Sequence, residues 1–141
     1  MSDTVIDSSV VAKCVLPEAD SAKAEQLFAD IASKGAQPIL LDLAYVEVTN
    51  AIWKRVHRRI ATIDEARQAL DDLTQMPVHV EAANRLLKPG LEIAAKYDCA
   101  VYDALFVALC NDLGLPGVTA DEALFNAIRS DFPNIVLLRN C

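Results

Sequence analysis

Short apolar stretches of strand length alternate along the chain with longer segments whose apolar positions recur at helical spacing. The pattern predicts strands near Thr4 to Asp7, Pro38 to Leu41, Val78 to Val80, Gly117 to Thr119 and Asn134 to Leu138. Between them it predicts helices over Ser8 to Val15, Ala19 to Ser33, Leu43 to Arg58, Ile63 to Gln75, Tyr102 to Leu113 and Glu122 to Arg129, with Glu18 opening the second. Pro17, Gly35, Pro38, Pro77, Gly114, Pro116 and Pro133 punctuate these segments. Ala83 to Lys96 is also helical in pattern, with a break or kink expected at Pro89-Gly90.

The strand segments are continuous apolar runs, not apolar–polar alternations, so both faces of each strand are expected to be covered. Strands of that kind bracketed by helices predict an α/β fold, a three-layer α/β/α sandwich around a mostly parallel sheet. In open sheets of this type ligands collect beyond the carboxyl ends of the strands. Polar residues at those ends therefore carry more functional weight than polar residues elsewhere.

A length of 141 residues and 53% hydrophobic content fit one domain spanning 1–141 with a single well-buried core. The N-terminus, Met-Ser-Asp-Thr-Val-Ile-Asp, has neither a basic nor an apolar leader region, and no apolar run approaches membrane-spanning length, so a soluble cytoplasmic protein is expected. Cys14, Cys99, Cys110 and Cys141 lie too far apart for a structural zinc site. Cys14 and Cys110 read as core residues and Cys141 as an exposed thiol. Trp53, Phe28, Phe106 and Phe125 fall at the spacing of core or interface residues. A formal net charge of −7 argues against a basic-arm nucleic-acid binder.

Four acids stand in unexpected places. Asp7 ends the first strand and precedes Ser8 and Ser9, where it either faces the ligand edge or caps the helix. Glu47, Asn50 and Lys54 form a narrow polar stripe on an otherwise apolar helix, which marks either a polar site or the solvent face. Asp103 is the only charge in the run from Val101 to Cys110, and an isolated buried carboxylate costs several kcal/mol unless it takes up a proton or finds a cation. Asp121 follows the fourth strand; Thr119 and Glu122 around it fit a capping box, which leaves Asp121 over the carboxyl edge of the sheet. Asp42 reads as the N-cap of the third helix. Carboxylates gathered at one edge repel one another unless a hard divalent cation neutralises them, and oxygen-only ligands suit Mg²⁺ or Mn²⁺.

In these residues the chain resembles PIN domains, in particular the VapC toxins of bacterial toxin–antitoxin pairs. The resemblance spans nearly the whole length. It rests on Val5-Ile6-Asp7-Ser8-Ser9, on Glu47 in Val-Glu-Val-Thr-Asn-Ala, on Asp103 in Tyr-Asp-Ala-Leu-Phe-Val-Ala-Leu, and on Thr119-Ala-Asp121-Glu-Ala-Leu. It implies a metal-dependent endoribonuclease using Mg²⁺ or Mn²⁺, an RNA substrate, a cognate VapB-type antitoxin and a homodimer. Carried over by position, it implies that Asp7, Glu47, Asp103 and Asp121 form an acidic metal-holding quartet, and that Ser9 and Thr119 orient a carboxylate or water.

The segment Lys54-Arg55-Val-His57-Arg58-Arg59 follows the helix that carries Glu47, and with Asn50 it is a candidate RNA-backbone contact. Basic side chains also stabilise a helix C-terminus, so that alternative stays open. His57 and His79 read as a member of this patch and a strand residue. Two rival functions are a phosphatase or phosphoacceptor domain built on Asp7, and a catalytically silent binding module. Ser9 stands where a phosphatase would carry a second Asp, and acids at all four positions count against a silent site.

Overall fold

The computed structural model describes residues 2–141. In chain order it contains β1 (Thr4–Ile6), α1 (Ser8–Val15), α2 (Ser21–Ser33), β2 (Pro38–Leu41), α3 (Leu43–His57), α4 (Ile63–Gln75) and β3 (His79–Glu81). A 3-10 turn (Asn84–Leu86) then leads into α5 (Leu87–Tyr97), α6 (Val101–Leu113), β4 (Gly117–Thr119), α7 (Glu122–Ile128), β5 (Ile135–Leu137) and a closing 3-10 turn (Leu138–Asn140). The strands form one sheet in the order β3-β2-β1-β4-β5, every pair parallel.

Alternate residues of each inner strand enter different cores, which is why those strands are apolar throughout. Ile6, Leu40 and Val118 pack with α1, α2, α3 and α4 on one face. Val5, Ile39 and Leu41 pack with α6 and α7 on the other, where Ile93 and Tyr97 of α5 join them. The chain runs outward from β1 through β2 to β3, then returns to the opposite side of β1 to lay down β4 and β5. The direction of winding therefore reverses between β1 and β4. A crevice opens at such a point, beyond the carboxyl ends of the two strands.

The approach of α6 to β4 is unusually tight. A Cβ on Gly117 would stand 2.5 Å from Cys110 Sγ and 2.9 Å from Phe106 Cζ, so the absence of a side chain there lets α6 settle onto the strand. Gly90 plays the same part between α5 and α6, where a Cβ would meet Leu105 Cδ2 at 2.8 Å.

Several local expectations are corrected. The break expected at Pro89-Gly90 falls earlier, at Leu86, because Pro89 lies in the first turn of α5, where no intrahelical N–H bond is lost. The second helix starts at Ser21, not Ala19; Asp20 takes a left-handed conformation, and the Ser21 hydroxyl accepts from the Glu18 backbone N–H before the helix begins. Thr119 and Glu122 do not form a capping box: Asp121 is the N-cap of α7, accepting from Leu124 N–H at 3.0 Å. A true capping box occurs instead at Thr62 and Glu65, opening α4. Asp42 occupies the N-cap position of α3, but its carboxylate accepts from Ala83 N–H and ties the β3 exit to that helix. Of the core and interface alternatives for Trp53, the core is ruled out by its 54% exposure. Cys110 is buried, Cys14 half-buried and Cys141 exposed.

Candidate active site

Asp7 lies one residue beyond β1, and parallel register with β4 brings it beside Thr119. Its N–H donates to Val118 O at 2.9 Å, which fixes the backbone at the crevice. The Asp7 side chain makes no helix cap, so its capping alternative fails. Its Oδ2 instead accepts from Ser9 Oγ at 2.7 Å and from Thr119 Oγ1 at 2.8 Å. Ser9 Oγ accepts in turn from Ala120 N–H at 3.0 Å, and Thr119 Oγ1 from Asp121 N–H at 3.1 Å. The two hydroxyls predicted to orient a carboxylate thus bind one oxygen of Asp7 and stitch β1 to the loop carrying Asp121.

The other acids arrive from helices on opposite faces of the sheet. Glu47 is on the second turn of α3, and Asp103 on the first turn of α6. Asp7, Glu47, Asp103 and Asp121 line one cavity of about 590 Å³. Asn50 and Lys54 line it too, so the predicted polar stripe of α3 faces the site. Ser8, Leu43, Val46 and Tyr102, which sequence reasoning did not single out, complete much of the wall. For Ser8 the signal was adjacency to Asp7; for Tyr102 it was a polar-tipped aromatic in the otherwise apolar run around Asp103.

Electrostatics follow from this crowding. Burial pushes the Asp7 carboxyl above its ordinary range and the charge of Asp121 adds to this, while the Ser9 and Thr119 hydroxyls pull it down. Glu47 rises from 4.5 to about 7, through burial first and then the charges of Asp7 and Asp103, with the Ser8 hydroxyl opposing. Asp103 rises from 3.8 to about 6, again through burial and then Asp7 and Asp121. The charge of Asp121 acts on Asp7 and Asp103, and the charges of Asp7 and Asp103 act in turn on Glu47. Among the described residues the ion pairs involve other acids: Glu18, Asp64, Glu81, Asp112, Asp131 and Glu122. None of the quartet is in an ion pair, although Lys54 lines the same cavity.

The donor set is all oxygen, as a hard divalent cation prefers. Among the described residues no group of three or more His, Cys, Asp or Glu side chains is drawn together closely enough to hold a metal ion, so the four acids line the cavity without forming a ligand cluster. An open arrangement suits Mg²⁺, which keeps several waters and uses few protein carboxylates at once.

The basic segment divides. Lys54 reaches the cavity, whereas Arg55 donates to Pro17 O at 3.0 Å and pairs with Glu18 at 3.3 Å on another surface. Arg58 and Arg59 are exposed beyond the end of α3, and Arg59 has a left-handed backbone (φ 58°). His57 stacks obliquely on Trp53, and His79 pairs with Glu81.

The PIN-domain family model matches residues 4–130. This chain belongs to the PIN-domain family. It is 34% identical over 122 residues to Ribonuclease VapC3 of Pyrobaculum aerophilum, covering 85% of this chain and 90% of that protein. PIN-like architecture is also plain among solved structures. A Pyrobaculum aerophilum protein superposes with a TM-score of 0.70 at 18% identity, covering 99% of this chain and 85% of its own. VapC20 of Mycobacterium tuberculosis, described as a sarcin-ricin loop cleaving toxin, gives a TM-score of 0.68 at 20% identity over 89% of this chain and 95% of its own. VapBC2 of Rickettsia felis, bound to a promoter DNA fragment, gives 0.66 at 12% identity over 97% of each chain. The predicted three-layer α/β/α fold is thus the PIN fold. Among the described residues no helix is long and apolar enough to cross a membrane.

Proposed function

We propose that this PIN domain is a metal-dependent endoribonuclease and the toxin of a type II toxin–antitoxin pair. One observation carries the reading: four carboxylates converge on the crevice between β1 and β4, burial and mutual charge raise the pKa of Asp7, Glu47 and Asp103, and none of the four is in an ion pair. The chemistry comes from the relative, whose name is that of a ribonuclease.

Asp7, Glu47, Asp103 and Asp121 hold Mg²⁺ or Mn²⁺. When bound, the metal offsets charge on the phosphodiester and lowers the pKa of the attacking water. Ser9 and Thr119 bind Oδ2 of Asp7, fixing the orientation of that carboxylate. Asp121 uses Oδ1 for its helix cap, which restrains its rotamer at the cavity wall and leaves Oδ2 free of that bond. Lys54 and Asn50, farther along α3, bind the phosphate backbone, with Arg58 and Arg59 extending the positive surface. Arg55 serves the α1–α2 connection instead.

The antitoxin reading draws on neighbours solved as toxin–antitoxin complexes, including one from Klebsiella pneumoniae with a TM-score of 0.67. It is also supported by a groove of about 490 Å³ between α3 and α4, lined by Tyr45, Trp53 and Leu70. Val46 and Asn50 line both that groove and the acidic cavity, so an antitoxin seated there would abut the site. Self-association as a homodimer is supported by Leu87 and Leu91, 54% and 62% exposed on one face of α5.

The test is incubation of the purified chain with an RNA panel and Mg²⁺, Mn²⁺ or a chelator. Cleavage that requires the metal is expected; RNA left intact under every metal condition rejects the ribonuclease reading.

A further inference from the structure

We propose that Tyr102 is a base-stacking residue that holds the base of a nucleotide beside the cut bond. The inference rests on the ribonuclease reading above and adds to it a contact to the base, not the backbone.

Tyr102 is the sole aromatic among the residues lining the acidic cavity, and Lys54 the sole cation. Its ring is 59% exposed although it sits in the most apolar helix of the chain, between half-buried Asp103 and a core that takes up Phe106, one turn on, at 3% exposure. Among the described residues the ring pairs are Trp53 with His57 and Tyr97 with Phe132, so the faces of Tyr102 are not taken by another aromatic. Tyr102 also lines the narrow cleft between β1 and α3 with Asp7, Ser8, Glu47 and Phe106, so it borders the carboxylates on two sides of the site. On the α3 side of the same cavity, Leu43 and the 66% exposed Val46 give an apolar rim.

These features divide the cavity by chemistry. A phosphate belongs at the carboxylates and at Lys54, which lies about 10 Å along the α3 axis from Glu47. A flat heterocycle belongs on the Tyr102 ring and against the apolar rim, since every base offers a π-face and an aromatic side chain accepts it with little sequence demand. The phenol hydroxyl can in addition bond an edge of the base, which adds discrimination that a plain ring lacks. Because Tyr102 directly precedes Asp103, the position of a stacked base is coupled to that of the phosphate held by the quartet.

The experiment pairs a protein change with a substrate change. RNA oligonucleotides that the native chain cuts are resynthesised with one abasic nucleotide walked across the positions flanking the cut, and KM and kcat are measured for native, Tyr102→Phe, Tyr102→Leu and Tyr102→Ala proteins. At one position the missing base raises KM of the native protein on the order of tenfold. The same abasic substitution has little effect on Tyr102→Ala or Tyr102→Leu, while Tyr102→Phe keeps most of the penalty. Thermal melting verifies that each variant is folded, and the Phe variant carries the comparison if the smaller side chains unfold the chain. An equal abasic penalty in all four proteins overturns the stacking role while leaving the ribonuclease reading intact; failure of the native chain to cut any RNA overturns both.

Discussion

Thr119 Oγ1 donates to Asp7 Oδ2 at 2.8 Å across the two strands where the sheet changes direction. Both residues are buried, at 0% and 7% exposure, so the bond is sheltered from water and fixes the most enclosed acid of the site. Thr119→Val keeps the shape and removes the hydroxyl, leaving Asp7 with one hydroxyl donor and the Asp121 N–H without its acceptor. Metal affinity should fall by about 10- to 100-fold, the usual effect of deleting a group that orients a ligand. Stability should fall by about 1–3 kcal/mol. Thr119→Ser should restore most of both, as titration calorimetry and thermal melting can show.

The raised acids give the metal-free protein a distinctive pH profile. Folded Glu47 and Asp103 have pKa values of about 7 and about 6, above their ordinary 4.5 and 3.8, so between these limits the folded state binds more protons than the unfolded one. Stability should therefore fall as pH rises from about 4 to about 7, then level off. Glu65, Glu81 and Asp131, whose pKa values are lowered, act in the opposite sense at more acid pH, but their exposure makes that effect small. Saturating Mg²⁺ should remove the decline, because binding requires the carboxylates ionised. Melting temperatures that climb steadily from pH 4 to 7 without metal would contradict the crowded-acid description.

Lys54 and Arg55 are neighbours in sequence but face different surfaces, so their substitutions should separate. Lys54→Ala should weaken RNA binding and reduce the slope of log affinity against log salt by about one. Arg55→Ala should leave that slope nearly unchanged and lower stability by about 1 kcal/mol, through loss of its bonds to Pro17 O and Glu18. Filter binding across a salt series distinguishes them; equal slopes for Lys54→Ala and native protein would remove Lys54 from the RNA surface.

Gly117→Ala tests how tightly the position of Asp103 depends on the α6–β4 contact. The added methyl would stand within 3 Å of Cys110 Sγ and Phe106 Cζ, both buried, so α6 must shift. Overpacking of this kind costs about 1–3 kcal/mol. Denaturant unfolding should show that loss, and metal affinity should fall with it because α6 carries Asp103.

Much of this architecture was legible in the sequence because burial imposes pattern. Ile6 and Val5 enter opposite cores, so β1 could only read as a continuous apolar run, and the same logic exposed Asp103 as an anomaly in α6. The Glu47, Asn50 and Lys54 stripe was visible because a helix repeats regularly and all three face one cavity. What escaped depended on choices among competing local bonds. Thr119 suits a helix cap equally well in sequence, and only the register of β4 on β1 turns its hydroxyl to Asp7. Pro89 signals a break, yet the first turn of a helix tolerates it, which sequence alone does not decide. The role of Arg55 depends on the fold of the Pro17 turn, and the place of Tyr102 on how α6 packs at the cavity; neither leaves a periodic trace.

The charge on Asp103 bears most directly on the proposed chemistry, because this residue links Glu47 to Asp121 across the site. Asp103→Asn keeps the shape and removes the charge. The decisive measurement compares RNA cleavage by native and Asp103→Asn protein over a Mn²⁺ titration, with melting temperatures recorded alongside. A metal-held quartet predicts that the variant melts higher than native protein without metal, gains little stability from Mn²⁺, and cleaves roughly 100-fold more slowly or worse. Equal cleavage and equal stabilisation by Mn²⁺ in the two proteins would contradict it.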